Sequence, residues 1–192
     1  VLSYLDVLKL KKPVGKRVAV IGAGGIGFDV SEYLSHDGAA TSQNIDAWLK
    51  EWGIDKTLGA RSGIENVKAE FHSSPREIFM FKRSKGKFGG NLGKTTGWIH
   101  RSTLKKKKVH FIGDVRYSKI DDQGLHYIQN EETKILEVDT IVICAGQTPF
   151  KELHQPLMNA GKTVHVIGGA DFASELDAKR AINQGARLAA RL

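Results

Sequence analysis

Three short stretches of the chain are apolar throughout or nearly so: Val18–Ile21, Ile78–Phe81 and Thr140–Cys144. Runs without alternation predict strands covered on both faces, as in a parallel sheet, rather than strands with one wet face. Val109–Ile112 predicts a further strand. Between these runs the apolar period is helical. Phe28, Val30 and Leu34 follow the first run, and a helix is expected to end near Ser35–Gly38. Ile45, Trp48, Leu49 and Trp52 stand at i, i+3, i+4 and i+7, with Thr41 or Ser42 available as a cap. The two tryptophans read as core or interdomain packing. Gly59–Pro75 has no clean period and predicts loop, and Trp98–Lys106 predicts a helix. From Asp114 the period falls to two. Val115, Tyr117 and Ile120, then Leu125, Tyr127 and Ile128, then Ile135, Leu136 and Val138 are separated by turn residues, which predicts an antiparallel β-meander.

The ends of the sequence carry weaker patterns. Val1–Leu10 predicts a short amphipathic element, and Lys11–Gly15, with Pro13, a connector into the first strand. In the tail, Thr163–Ile167 predicts a strand, Gly168–Asp171 a glycine turn and Ser174–Leu192 a helix. The small and apolar face of that helix is Ala178, Ala181, Ile182, Gly185, Leu188, Ala189 and Leu192.

The first strand runs into Gly22-x-Gly24-x-x-Gly27 and then into the first helix. Between a buried strand and a helix, this spacing has a physical meaning. Gly22 permits a tight turn, Gly24 lets a backbone approach a pyrophosphate, and Gly27 lets helix and strand pack closely. The helix N-terminus turns unpaired N–H groups toward the anion. The bland alternative is a glycine-rich turn that binds nothing. The fold class predicted is α/β: a Rossmann-like nucleotide-binding domain with a helical insertion over about residues 37–76 and a meander, followed by the strand–helix tail.

The insertion changes the expected ligand. Asp46 lies about twenty residues after Gly27, where a ribose-binding acid is sought, but it falls inside the amphipathic helix and is rejected. The second strand of the nucleotide fold is Glu77–Phe81, and it ends in Lys82–Arg83–Ser84–Lys85. An acid there would take the two ribose hydroxyls of NAD. Arginine and lysine instead suit a 2′-phosphate, and so favour NADP, unless they are ordinary exposed bases. Ala145 and Gly146 are small residues at a strand's carboxyl end, where open α/β sheets bind ligands. In the tail, Asp171 either accepts a sugar hydroxyl or, like Ser174, caps the helix.

Composition narrows the classes. The net charge is +8, and basic residues collect at Lys82–Lys94 and Lys105–Lys108. No nucleic-acid motif or interleaved aromatic pattern accompanies them, so a solvated basic face partly serving a phosphorylated ligand is the reading. No nucleic-acid partner and no membrane partner are expected, since no run approaches the roughly 20 apolar residues of a span. The single cysteine, Cys144, excludes an internal disulfide and reads as a packed thiol. No metal ligand or catalytic residue is assigned. With no leader pattern, a reducing, cytoplasmic setting is the default, and a chain that begins at Val1 is taken as an excised piece.

Several longer stretches carry a resemblance. They are Val20–Asp29, Thr41–Ile45, Glu51–Asp55, Leu92–Arg101, Val142–Gln147, Ile167–Asp171 and Glu175–Ile182. Together they resemble the C-terminal part of the bacterial NADPH-dependent 2,4-dienoyl-CoA reductase family, within the flavoprotein reductases that hold two dinucleotides. That resemblance implies a parent in which an N-terminal barrel carries FMN, a 4Fe–4S cluster and the dienoyl-CoA site of fatty-acid β-oxidation. It implies FAD and NADPH domains after the barrel, with hydride passing from NADPH to FAD. Residues 1–14 would connect from the FAD domain, 15–145 would form the NADPH domain, and 146–192 would return to the FAD domain. Its implied cofactor-binding residues are Gly22, Gly24, Gly25, Ile26 and Gly27, Arg83 and Lys85 at the 2′-phosphate, Ala145 and Gly146, and Gly169 and Asp171 toward FAD. The partners of this piece are then NADPH and the missing FAD and barrel domains, and dienoyl-CoA is reached only through the barrel. The fragment itself is expected to be inactive. Related amine dehydrogenases offer an alternative, an equivalent domain that holds ADP and takes no part in hydride transfer.

Overall fold

The computed structural model describes residues 1–38, 40–173 and 178–192. The chain divides into two units, Val1–Ala145 and Gly146–Leu192.

The first unit is built on a parallel sheet of five strands: β1 (Leu2–Ser3), β2 (Arg17–Ile21), β3 (Glu77–Phe81), β4 (His110–Ile112) and, last in sequence, β8 (Thr140–Ile143). Their spatial order is β1-β8-β2-β3-β4. Helices α1 (Tyr4–Leu8), α2 (Gly25–Leu34), α3 (Ile45–Trp52) and α4 (Gly97–Lys106) and the meander β5 (Arg116–Asp121), β6 (Gly124–Gln129) and β7 (Glu132–Leu136) complete the unit. The meander is a separate antiparallel sheet in the order β5-β6-β7.

The unbroken apolar runs now have their cause. Val18, Val20, Ile78, Met80 and Val142 pack with Phe28, Val30 and Leu34 of α2 and Leu104 of α4. The alternate residues Ala19, Ile21, Phe79, Phe81 and Ile141 pack with Leu125 and Tyr127 of the meander. Both faces of the sheet are dry, so neither set of positions tolerates a polar residue. At the sheet's lower end Asp139 fastens β2 beside β8, its carboxylate accepting the amides of Lys16 (2.8 Å) and Arg17 (2.7 Å).

Four readings of the sequence are corrected or refined. The Val1–Leu10 element splits, with Leu2–Ser3 pairing to β8 and α1 starting behind a Ser3–Asp6 capping box. The cap of α3 is Asn44, which accepts from the Ala47 amide, while the Thr41 hydroxyl turns to the Glu51 carboxylate. The apolar stripe of α3 is not core: Ile45 is 71% exposed and Trp48 39%, whereas Glu51 is buried. The helix docks through charge instead. Glu51 Oε1 lies 3.8 Å from the buried Lys107 ammonium, and Lys106 Nζ sits 4.4 Å above Trp52 and 3.9 Å above Phe71. Lysines read as a solvated run at a helix end are therefore partly packing groups.

The fourth correction lies in the second unit. Thr163–Ile167 forms no strand among the described residues. A strand needs a hydrogen-bonded neighbour, and no strand stands among the described residues of this unit. What the unit contains is α5 (His154–Asn159), a 3₁₀ turn at Gly168–Ala170 and α6 (Ala178–Ala189). On α6, Ala181 and Gly185 face Gly168 and Ile167. The helix start read at Ser174, and Ser174 as its cap, lie outside the described residues.

Candidate nucleotide-binding site

A cleft of about 730 Å³ opens at the carboxyl ends of β2, β3 and β8. Its floor is the glycine turn, held on both sides by neighbouring strands. The Gly22 amide donates to the Phe81 carbonyl at 3.1 Å, and the Cys144 amide donates to the Ile21 carbonyl at 2.8 Å.

The three glycines of the motif are required for three different reasons. Gly22 has φ +122°, and a Cβ there would press within 3.0 Å of the Cys144 carbonyl group. Gly27 is buried at the first turn of α2, where a Cβ would collide with the Gly22 carbonyl oxygen. Gly24 is different: its backbone is ordinary extended chain (φ −86°, ψ −170°), and a Cβ would meet no atom within 4 Å. Neither sterics nor backbone conformation asks for glycine at 24, and the space in front of it is open.

The first turn of α2 is also open. Helix α1 has its Ser3–Asp6 box and α3 its Asn44 cap, while α4 and α5, like α2, have no side-chain cap. The first amides of α2 are available to an anion, which the helix dipole favours.

The wall beside the turn is basic. Lys82, Arg83, Ser84 and Lys87 line the cleft after β3, with no acid among the lining residues. Tyr117 of β5 completes that wall, packed edge-on to Phe81 at 6.3 Å. Burial pushes its phenol up to about 12 against the opposing pull of Arg83, so the hydroxyl keeps its proton.

Gly22, Gly24, Arg83 and Ala145 thus line one cleft. Gly25 is exposed in the first turn of α2, and Ile26 packs partly against the core. Lys85 stands outside the cleft lining, 85% exposed and 3.5 Å from Asp114. Gly146, Gly169 and Asp171 belong to the second unit. There the Gln184 amide group ties the turn, accepting from the Gly168 amide (2.7 Å) and donating to the Asp171 carboxylate (3.0 Å). His100 and Arg101 have structural partners: His100 Nδ1 meets Glu32 at 2.8 Å, and Arg101 donates to the Gly89 carbonyl at 3.1 Å. Asp46, rejected as a ribose ligand, pairs with Lys56 at 2.7 Å.

Sequence reasoning missed Tyr117, Ser84 and the Gly89–Asn91 segment as walls of the cleft, and Gln184 in the tail. Only the glycine clustering at 86–97 offered a signal.

Cys144 also lines the cleft, but it is 7% exposed and burial pushes its thiol up to about 12. A neutral buried thiol is a poor nucleophile. We expect iodoacetamide to leave Cys144 unmodified in the native protein at mildly alkaline pH and to alkylate it in concentrated guanidinium. Rapid native labelling would show that the cleft floor opens. Among the described residues no cluster of His, Cys, Asp and Glu is arranged to hold a metal ion. No described helix is long and apolar enough to cross a membrane.

The parallel sheet, the glycine turn and the uncapped helix define a dinucleotide-binding domain of the Rossmann type. Residues 4–177 match the sequence family described as pyridine nucleotide-disulphide oxidoreductase, and the chain belongs to that family. A metal reductase of Desulforamulus reducens is 24% identical over 172 residues, covering 88% of this chain and 24% of the relative. The fold is shared with 2-naphthoyl-CoA reductase (TM-score 0.64, 17% identity, covering 94% of this chain and 22% of that one). It is shared also with histamine dehydrogenase from Rhizobium sp. 4-9 (TM-score 0.65, 14% identity, 100% and 26%). The chain therefore spans about a quarter of the length of these relatives. Membership of that family implies FAD and NAD(P) as the nucleotides of such a domain.

Proposed function

We propose that residues 15–145 are the NADPH-binding part of a flavoprotein oxidoreductase. One observation carries the choice of NADPH: Arg83 and Lys82 stand at the carboxyl end of β3, on the wall of the cleft whose floor is the Gly22–Gly24 turn, and that wall has no acid. The residues fit the ligand. Gly24 leaves room for the pyrophosphate, the first amides of α2 hold its charge, and the Arg83 guanidinium can grip a 2′-phosphate in bidentate fashion. Lys85 adds background positive charge. NADPH supplies a hydride to FAD. In this reading the second unit returns to the FAD domain, with Gly169 and the exposed Asp171 toward FAD, and residues 1–14 connect from it.

We further propose that the longer parent protein reduces 2,4-dienoyl-CoA in the cytoplasm, with FMN and a 4Fe–4S cluster in a part beyond this chain. The motif resemblance supports this, and 2-naphthoyl-CoA reductase, which shares the fold, also bears a CoA-thioester substrate in its name. A parent that oxidises NADPH no faster when a 2,4-dienoyl-CoA is added would refute it. The resemblance to amine dehydrogenases supports a second reading, a domain that holds ADP without hydride transfer; histamine dehydrogenase shares the fold.

Calorimetric titration with NADPH, NADH and ADP separates the two readings. The 2′-phosphate site predicts NADPH well ahead of NADH and ADP, and equal affinities would overturn it. Arg83→Ala is expected to weaken NADPH by about 10–100-fold, the worth of a charge-assisted contact of roughly 1.5–3 kcal/mol. NADH should change little. Equal losses for both would move Arg83 away from the phosphate.

A further inference from the structure

The loop between β3 and α4 carries a second glycine pair, Gly89–Gly90, which no step so far has used. Gly89 is demanded by the fold. Its φ is +62°, and a Cβ would meet the Phe28 ring at 2.9 Å and Leu92 at 2.6 Å. Phe28 directly follows Gly27, so this contact pins the loop onto the first turn of α2. Gly90 is not demanded: its φ lies outside the left-handed region, and a Cβ would find only the Lys87 carbonyl, at 3.6 Å. Yet Gly90 and Asn91 line the same cleft as Gly24.

Two cations hold the loop by its carbonyls. Lys82 Nζ donates to the Lys87 carbonyl at 2.9 Å, and Arg101 donates to the Gly89 carbonyl at 3.1 Å. The amides of Gly90 and Asn91 have no hydrogen-bond acceptor among the described residues. Carbonyls engaged by cations and unengaged amides beside a cleft are the polarity of a backbone anion cradle.

We infer that Gly90 and Asn91 form a second backbone clamp on the pyrophosphate of the bound nucleotide, and that Arg101 is the positioning residue that sets it. The inference rests on the nucleotide reading of the cleft. It assigns the clamp to the phosphates shared by NADPH and NADH, apart from the 2′-phosphate contact of Arg83.

The test is calorimetry of the whole 192-residue chain with NADPH and NADH, for the wild type, Gly90→Val, Arg101→Met and Arg101→Lys, alongside thermal melts. Gly90→Val should melt like the wild type and bind both nucleotides at least tenfold more weakly, with their affinity ratio unchanged. Arg101→Met should weaken both several-fold, and Arg101→Lys, which keeps a donor, should restore most of that loss. Wild-type affinity in a folded Gly90→Val overturns the clamp and leaves the nucleotide reading intact. Loss confined to NADPH also overturns it, because the loop would then serve the 2′-phosphate. Should Gly90→Val fail to fold, unchanged affinity in Arg101→Met overturns the inference by itself. A wild type that binds neither nucleotide overturns both readings.

Discussion

Gly27→Ala is expected to cost the first unit about 3 kcal/mol, at the upper end for an overpacked site, and to abolish nucleotide binding. The added methyl would be driven into the Gly22 carbonyl. The methyl is fixed directly to the backbone and its partner is backbone, so no rotamer change relieves the clash. Relief requires α2 to move away from β2, which opens the packing of Phe28, Val30 and Leu34 against the sheet. In a chain of this size the melting temperature should fall by roughly 6–12 °C. Gly24→Val is the contrast. Its backbone is open to any residue and its Cβ would touch nothing, so the melt should match the wild type within about 1 °C. Its nucleotide affinity should nonetheless fall at least tenfold. A Gly24→Val protein that binds NADPH normally would remove the cleft as the nucleotide site, and a Gly27→Ala protein of unchanged stability would refute the helix–strand clash.

The second large effect is expected where the insertion meets α4. Glu51→Ala leaves the Lys107 ammonium, 2% exposed, without its counter-charge. Removing one partner of a buried pair costs about 3 kcal/mol or more, because the remaining charge stays desolvated. The Thr41 hydroxyl also loses its acceptor. Urea denaturation should register the loss, and hydrogen exchange should place it in α3. The double variant Glu51→Leu, Lys107→Met should recover much of the stability, as apolar replacements of buried pairs often do. Nucleotide affinity should hold in both, since neither residue lines the cleft. If the single variant melts like the wild type, the pair is solvated and does not hold the insertion.

How legible these features were in the sequence depends on what each residue packs against. Strand Glu77–Phe81 could be bounded to the residue, and the 3.6 period of Ile45, Trp48, Leu49 and Trp52 marked the helix but not its start, which Asn44 sets rather than Thr41 or Ser42. The meander was legible from its period of two and the turn residues between its runs. The docking of α3 was not. An Ile45–Trp48–Trp52 stripe reads as a buried face, while the group actually buried is a glutamate whose partner lies 56 positions on, at Lys107. Charge pairing between distant elements leaves no local period to read. Thr163–Ile167 failed in the opposite sense: its β-branched residues suit a strand, but a strand also needs a neighbour, which local sequence cannot supply. At the cleft, Gly22–Gly27 announced themselves through spacing. Tyr117 and Gly90 reach the same cleft from other elements, and only the topology brings them there.

The position of β8 has a consequence for synthesis. It is the last strand of the parallel sheet in sequence, yet it fills the slot between the first two, pairing with both β1 and β2. A ribosome adds roughly 5–20 residues per second, so on the order of ten seconds pass between emergence of β2 and of β8. Throughout that interval Val18–Ile21 presents an apolar, unpaired backbone rim of the kind that recruits other chains. The Gly22 turn gains its Cys144 side only when the slot closes. The nucleotide site is therefore complete only once the last strand of the sheet has emerged.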